Sequence, residues 1–395
     1  MLNLGKIAKE IPAIREEIQK EIWRSHQRLG EAFFLLQEAA KKQDTFIAYQ
    51  QQWQNGLIFT AATPVEAIDT KVEIIPASMP HSVFSTDGSQ IAPSHHEVAY
   101  CYLINIGRVM LHYHQNLHPL LDSIPQVYYK SEELQESRQW GIRTEEWLVY
   151  KRNIAEAQIL SEMACKWVKR HAETPKLAIM DGSLIYWYLE NLPSLAREEV
   201  LNPILAAWRQ LEENNIPLVG YVSASRSSEA INFLRFPACP YAQPDCLSYC
   251  AEEEEETPCQ KIEPLRDVTF WKHILPPRHR SAIFRSNSRI LDYYGPSQQI
   301  YFCYLNVGSE IARIEFPAWV AGNFPLLQQA LSITLTQVDK GFGYPVILAE
   351  AHNMAVVKGS DRTRFFALLQ EEMIKAGLTN VAPSYKEMRK RTTIV

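Results

Sequence analysis

The chain is predicted to be an α/β protein, a mixed sheet flanked by helices, with a helical N-terminal arm and a cysteine-containing insertion. Three observations carry this expectation. Apolar residues recur at helical spacing through the first 45 positions, short apolar runs alternate with helix-forming stretches beyond residue 80, and Asp-Gly-Ser twice follows an apolar run.

Residues 5 to 45 read as helix because Ile7, Ile11, Ile14, Ile18, Ile22, Leu29, Phe33 and Leu36 return at spacings of three, four and seven among charged residues. Pro12 is expected to divide a short first helix from a longer second one. This arm, residues 1–55, reads as a docking or oligomerisation element. From residue 82 the pattern is that of a sheet: VFSTDGS is a short strand ending in a turn, and VAYCYLINIG and RVMLHYH are the next two strands. Asp87 is therefore expected at a strand end. Helix formers without Pro or Gly fill 143–171, and turn residues Thr174 and Pro175 lead into the strand LAIMD, which ends at Asp181. A helix over about 196–214 and the strand IPLVGYVS precede an irregular stretch from about 236 to 264, read as an insertion. The strands IYFCYLNV and IARIEFP, a helix near 323–338, the segment GYPVILAEAHNMAVV and a final helix from about 360 follow. The expected organisation is an arm over 1–55 and a domain over 80–395 holding the insertion, with two compact units as the upper bound for 395 residues.

Apolar residues are 46% and charged residues 22% of the chain, enough to bury a sizeable core. Its apolar runs fall far short of the roughly 20 residues that cross a bilayer. The start, MLNLGKIAKEIPAIREE, lacks the apolar region and cleavage site of a secretory signal, so a cytoplasmic location is expected. Seven cysteines in such a chain point to thiols or metal ligands before disulfides. A net charge of −5 counts against nucleic acid until the charge is mapped. Acids crowd into the solvated run Glu252–Glu256, while bases gather at Lys272, Arg278, Arg280, Arg285 and Arg289, and again at Lys386, Arg389, Lys390 and Arg391. A local basic strip on an acidic protein remains possible.

The chemistry centres on the two copies, Asp87-Gly88-Ser89 and Asp181-Gly182-Ser183. One copy alone is commonly a turn with a side-chain-to-backbone hydrogen bond. Two copies after apolar strands suggest paired carboxylates in the crevice where α/β sheets bind ligands. Hard divalent cations take oxygen ligands, and two aspartates alone hold one poorly, so a third carboxylate is sought on the helix preceding Asp181. Glu156 shares a face with Val149, Leu160, Met163 and Trp167, whereas Glu162 lies beside Gln158, Lys166 and Lys169. Glu156 is preferred because its face is the one turned to the core.

In the order STDGSQ, a glutamate in the helix around RNIAEAQ, IMDGSL and GYPVILAEAH, residues 80–375 resemble the NurA nucleases. The resemblance implies a ribonuclease-H-like fold, metal ligation by Asp87, Asp181 and the helix glutamate, and Tyr344 and His352 as further active-site residues. His352 would ligate metal or protonate a leaving oxygen, and Tyr344 would hold a phosphate or the attacking water. Implied with these are Mn²⁺ or Mg²⁺ as cofactor, DNA as substrate, 5′ exonuclease and single-strand endonuclease action in end processing, a HerA-type hexameric ATPase partner and a homodimer. Taken alone, a Tyr and a His on an apolar segment are more often core residues. Arg280 and, after it, Arg226 are candidate phosphate contacts, each also readable as a surface ion-pair partner.

The insertion carries Cys239, Cys246, Cys250 and Cys259, spaced C-x6-C-x3-C-x8-C. Four thiolates suit zinc or an iron–sulfur cluster, but the spacing matches neither paired CxxC zinc sites nor a ferredoxin, so free thiols stay open. The resemblance says nothing of these cysteines. Two other readings also remain: a related module without catalysis that grips DNA or regulates an ATPase, and a metal-cluster scaffold in which the Asp-Gly-Ser turns are structural.

Overall fold

The computed structural model describes residues 3–93, 97, 99–250 and 257–377; the second basic cluster, from Lys386, and the glutamate run lie outside them. In chain order the elements are helices α1 (Leu4–Lys41) and α2 (Gln43–Trp53), then strands β1 (Thr63–Pro64), β2 (Val72–Glu73), β3 (His81–Ile91), β4 (Tyr102–Tyr113) and β5 (Leu120–Tyr128). Next come α3 (Ser131–Gln135), α4 (Thr144–Val168), β6 (Lys176–Asp181), α5 (Ser194–Glu213), β7 (Leu218–Val222), α6 (Arg235–Ala238), α7 (Cys246–Tyr249) and α8 (Asp267–Ile274). The chain continues through β8 (His279–Arg280), β9 (Phe284–Arg285), β10 (Ile300–Asn306), β11 (Ile311–Pro317), α9 (Ala318–Ala321), α10 (Phe324–Lys340), α11 (Val346–Ala355) and α12 (Gly359–Lys375). Among the described residues no helix is long and apolar enough to cross a membrane.

Two compact units result, and their boundaries differ from the expected ones. The first joins residues 1–75 to 221–295 and 299–318; the second comprises 76–220, 296–298 and 319–395. The arm and the cysteine-bearing stretch thus belong to the same unit. Apolar Leu29, Ala32, Leu35 and Ala39 on the second half of α1 pack into a core with Phe233, Phe270, Trp271, Phe284 and Phe302, around the antiparallel pair β10 and β11. Helix α1 runs unbroken through Pro12, so the expected division is absent. A proline in a long helix removes one backbone hydrogen bond, and the remaining ladder carries the axis past it. The first half of α1 exposes Ile11, Ile14, Ile18 and Ile22, each more than half exposed.

In the second unit β3, β4 and β5 form an antiparallel meander, and β6 runs parallel to β3 on its other side, with β7 beyond. The strand order β5-β4-β3-β6-β7 is the ribonuclease-H-like arrangement. The segments expected as two strands on either side of Gly107 are one, β4, and the true third strand is β5, which the sequence reading passed over. Alternation along β4 explains the two-sided packing. Tyr102, Ile104 and Ile106 pack with Leu148 of α4, whereas Cys101 and Leu103 pack with Phe366 of α12. Helix α4 starts with Glu145 and Glu146 in its first turn, where acids favour the helix dipole, and buries Leu148, Ala157, Leu160 and Ala164.

Candidate active site

Asp87 lies within β3, not at its end, for the strand continues to Ile91 and stays paired with β4. Its two faces do different work. Thr86 and Gly88 meet α4: the Thr86 hydroxyl donates to the Glu156 carbonyl at 2.9 Å. Ser89, two residues from Asp87 and on the same face, donates to the Ala355 carbonyl of α11 at 2.6 Å. Asp87 is thereby turned toward α11, where its Oδ2 lies 2.9 Å from Nδ1 of His352.

Two glycines permit these approaches. Gly88 is not a turn residue: a Cβ there would stand 2.6 Å from Glu156 Oε1 and 2.5 Å from Arg152 Cγ, so its missing side chain lets the glutamate reach the strand. Gly107, the β4 partner of Asp87, would carry a Cβ 2.5 Å from the Ala351 carbonyl oxygen and 2.5 Å from the Ala355 nitrogen. Only a glycine allows α11 to lie this close to the sheet and carry His352 to Asp87.

The parallel register of β3 and β6 pairs Ser82 with Lys176 and Phe84 with Ala178, and continuing it sets Asp181 level with Asp87. Here the glycine does close a turn, since Gly182 has φ +97°. The two Asp-Gly-Ser copies thus serve one site through different physics. Tyr344 donates its hydroxyl to Asp181. It is presented by a tight bend in which Gly343 has φ +117° and a Cβ on Gly341 would fall 1.9 Å from the Tyr344 carbonyl.

Glu156 is the helix carboxylate that lies beside Asp87 and Asp181. Its side chain is 14% exposed, whereas Glu162 faces solvent. Burial pushes its carboxyl up to about 8; the Arg152 guanidinium opposes this, the nearby Asp87 and Asp181 charges add to it, and a hydrogen bond from the Gly88 amide lowers it. The same amide donates to Asp87 Oδ1 at 2.8 Å, so one N–H joins two carboxylates. Asp181 is also raised, first by burial and then by Asp87, while Tyr344 and His352 pull it down. Asp87, Glu156, Asp181, Tyr344 and His352 therefore come together in the second unit. Among the described residues, however, no group of three or more His, Cys, Asp or Glu side chains is arranged as a ready metal site.

Arg152 escaped the sequence reading. Its Nε lies 3.2 Å from Glu156 Oε1, one helical turn away, and the signal available was that i, i+4 spacing. Arg280 is a correction. It is 2% exposed, belongs to the first unit and forms an ion pair with Glu66, whose other contact is the Ile283 amide at 2.8 Å. A guanidinium buried against a carboxylate is not offered to phosphate. Arg226 is exposed, also in the first unit, and its carbonyl accepts from Arg266 at 2.8 Å. The four insertion cysteines line one pocket of the first unit.

A family model described as the NurA domain matches residues 81–357, the span that holds all five site residues. The crystal structure of the NurA nuclease from Sulfolobus solfataricus is similar with a TM-score of 0.50 at 12% identity, over 95% of this chain and 98% of that one. The catalytic domain of human Endonuclease V gives a TM-score of 0.32 at 12% identity, over 86% of this chain and 99% of that one. Comparison with curated proteins finds no match. With its family model spanning more than half of the sequence and its sheet order in the expected arrangement, the chain belongs to the NurA family.

Proposed function

We propose that this protein is a divalent-metal-dependent deoxyribonuclease. The observation that carries the reading is the convergence of Asp87, Glu156 and Asp181 from two parallel strands and one helix, where burial first and then the charge of Asp87 raise the proton affinity of Glu156 and Asp181. That donor set fits a hard cation: three oxygen donors, one of them, Glu156, pushed by burial toward its protonated form. Asp87, Glu156 and Asp181 would hold Mn²⁺ or Mg²⁺, which would supply an activated water and neutralise charge developing on the phosphate. Asp87 holds the His352 ring by Nδ1, leaving Nε2 to move a proton to the departing oxygen. Tyr344 orients Asp181 through its hydroxyl. Arg152 holds the Glu156 carboxyl in place and adds positive charge beside the phosphate path.

The substrate reading is DNA, cleaved as a 5′ exonuclease and single-strand endonuclease during end processing and repair in the cytoplasm. Membership of the NurA family supports a nuclease, as does the similarity in fold to the Sulfolobus NurA nuclease. A HerA-type ATPase partner follows from the same resemblance. A homodimer is supported further by the exposed isoleucine stripe of α1, whose spacing suits helix pairing. Phe342 is fully exposed, has φ 55° and sits two residues before Tyr344. A left-handed aromatic residue held open beside a site is strain retained for contact, here stacking on a base of the bound strand.

The test is cleavage of end-labelled single-stranded and duplex DNA with Mn²⁺, Mg²⁺ or EDTA, using the natural chain and Asp87→Asn and Asp181→Asn. Metal-dependent cleavage lost in both variants upholds the reading. A natural chain inert with every metal, or variants that cut as well, would leave a DNA-gripping module without catalysis.

A further inference from the structure

Cys239, Cys246, Cys250 and Cys259 are dispersed over 21 positions, yet all four line a single apolar pocket that Phe59 and Phe236 help to close. None of the four is in a disulfide. They belong to the first unit and have no part in the carboxylate site. Cys246 opens α7 and Cys250 caps its end, so the pair sits on one face, one turn apart. Asp245 caps the start of that turn by accepting from the Ser248 amide at 3.2 Å, and the Leu247 amide donates to the Gly56 carbonyl at 3.1 Å, which fixes the turn to the chain before the sheet. Cys239 feels both Cys259 and Cys246 in addition to its own burial.

The surroundings of Cys259 point the same way. Arg235 is 4% exposed and directs its Nη2 at Cys259 Sγ from 3.7 Å, while the Thr257 hydroxyl lies 3.2 Å from the same sulfur. Such donors beside a sulfur are the usual outer support of metal-bound sulfur. Two thiols suffice for a redox pair; four lining one pocket supply the donor number of a tetrahedral thiolate centre.

We propose that this pocket is a structural Zn²⁺ site ligated by Cys239, Cys246, Cys250 and Cys259. No three of these sulfurs already form a ready metal site, so binding draws them inward by rotation about their single Cα–Cβ torsions. Each thiol gives up a proton to solvent, four in all, and no electron is transferred.

The experiment is metal analysis of the full chain after gel filtration, followed by zinc release with a mercurial reagent and a colorimetric chelator. The natural chain is expected to carry about one zinc, Cys246→Ser/Cys259→Ser almost none, and Asp87→Asn/Asp181→Asn as much as the natural chain, which separates this centre from the carboxylate site. Should the cysteine variant fail to fold, Co²⁺ added to the metal-depleted natural chain gives the second readout, through the intense sulfur-to-cobalt absorption and the visible bands of tetrahedral cobalt. A chain that holds no zinc and shows no such absorption overturns the proposal. So does a brown protein with stoichiometric iron, which would make the pocket a cluster site.

Discussion

His352 Nδ1 lies 2.9 Å from Asp87 Oδ2, a contact between residues 265 positions apart that ties α11 to the central strand. A histidine held by one ring nitrogen presents the other in a defined direction. Under the nuclease reading, His352→Ala is expected to lower kcat by about 10²–10⁴, the range of a lost general acid or base. Steady-state cleavage at saturating metal measures it, with circular dichroism to verify the fold. Wild-type kcat in His352→Ala would reduce the ring to a surface contact.

Gly107 and Gly88 make different demands. At Gly107 a methyl would meet backbone atoms of α11, which cannot turn aside, so Gly107→Ala is expected to destabilise by about 1–3 kcal/mol and to remove activity by displacing His352. At Gly88 the obstacles are the Arg152 and Glu156 side chains, which can swing away. Gly88→Ala should therefore keep much of its stability and lose cleavage. Thermal melts beside activity assays distinguish the two; equal melting losses would refute this division.

Glu156 sets a pH dependence. Its carboxyl is pushed from an ordinary 4.5 to about 8, so the folded chain binds more protons than the unfolded one between those values. Stability in EDTA should accordingly be full below about pH 4.5 and fall as pH rises through 8, with a ceiling of a few kcal/mol at about 1.4 kcal/mol per pKa unit. Glu156→Gln should flatten this slope, and added Mn²⁺ should restore stability at the alkaline end. Urea midpoints across the window report both effects, and an unaltered slope in the variant assigns the loss to another group.

Phe342→Ala removes an exposed ring and nothing from the core. If the ring stacks on a base, KM for oligonucleotide should rise by about tenfold, given that one stacked base contributes about 1–3 kcal/mol, with kcat little altered. Fluorescence of 2-aminopurine placed near the cleaved end should be quenched by the natural chain and less by the variant. Equal quenching would take Phe342 out of the substrate path.

Arg280→Ala is expected to act on folding. The guanidinium is 2% exposed, and deleting it leaves Glu66 without its ion-pair partner, a change of about 3–5 kcal/mol for a buried pair. Denaturation should expose the loss, while DNA affinity of the folded fraction stays near the natural value.

Much of this protein was legible in its residues. Helical periodicity marked α1 and α4, apolar runs marked β3, β6, β10 and β11, and the amphipathic face of α4 favoured Glu156 over Glu162, because these patterns arise from local geometry that a linear text preserves. The resemblance further ordered Asp87, Asp181, Tyr344 and His352 into one expected site. Three things depended on the folded chain. Gly107 read as a break between strands, since a turn glycine and a packing glycine look alike until the neighbouring helix is in view. Arg280 read as a phosphate contact, because burial and the Glu66 partner, 214 positions away, have no local signature. The cysteines had a spacing without a known pattern, and only the folding of their stretch brought all four around one pocket. Local propensity is written along the chain, whereas the close approach of distant backbones and the pairing of buried charges exist only once the strands have found their register.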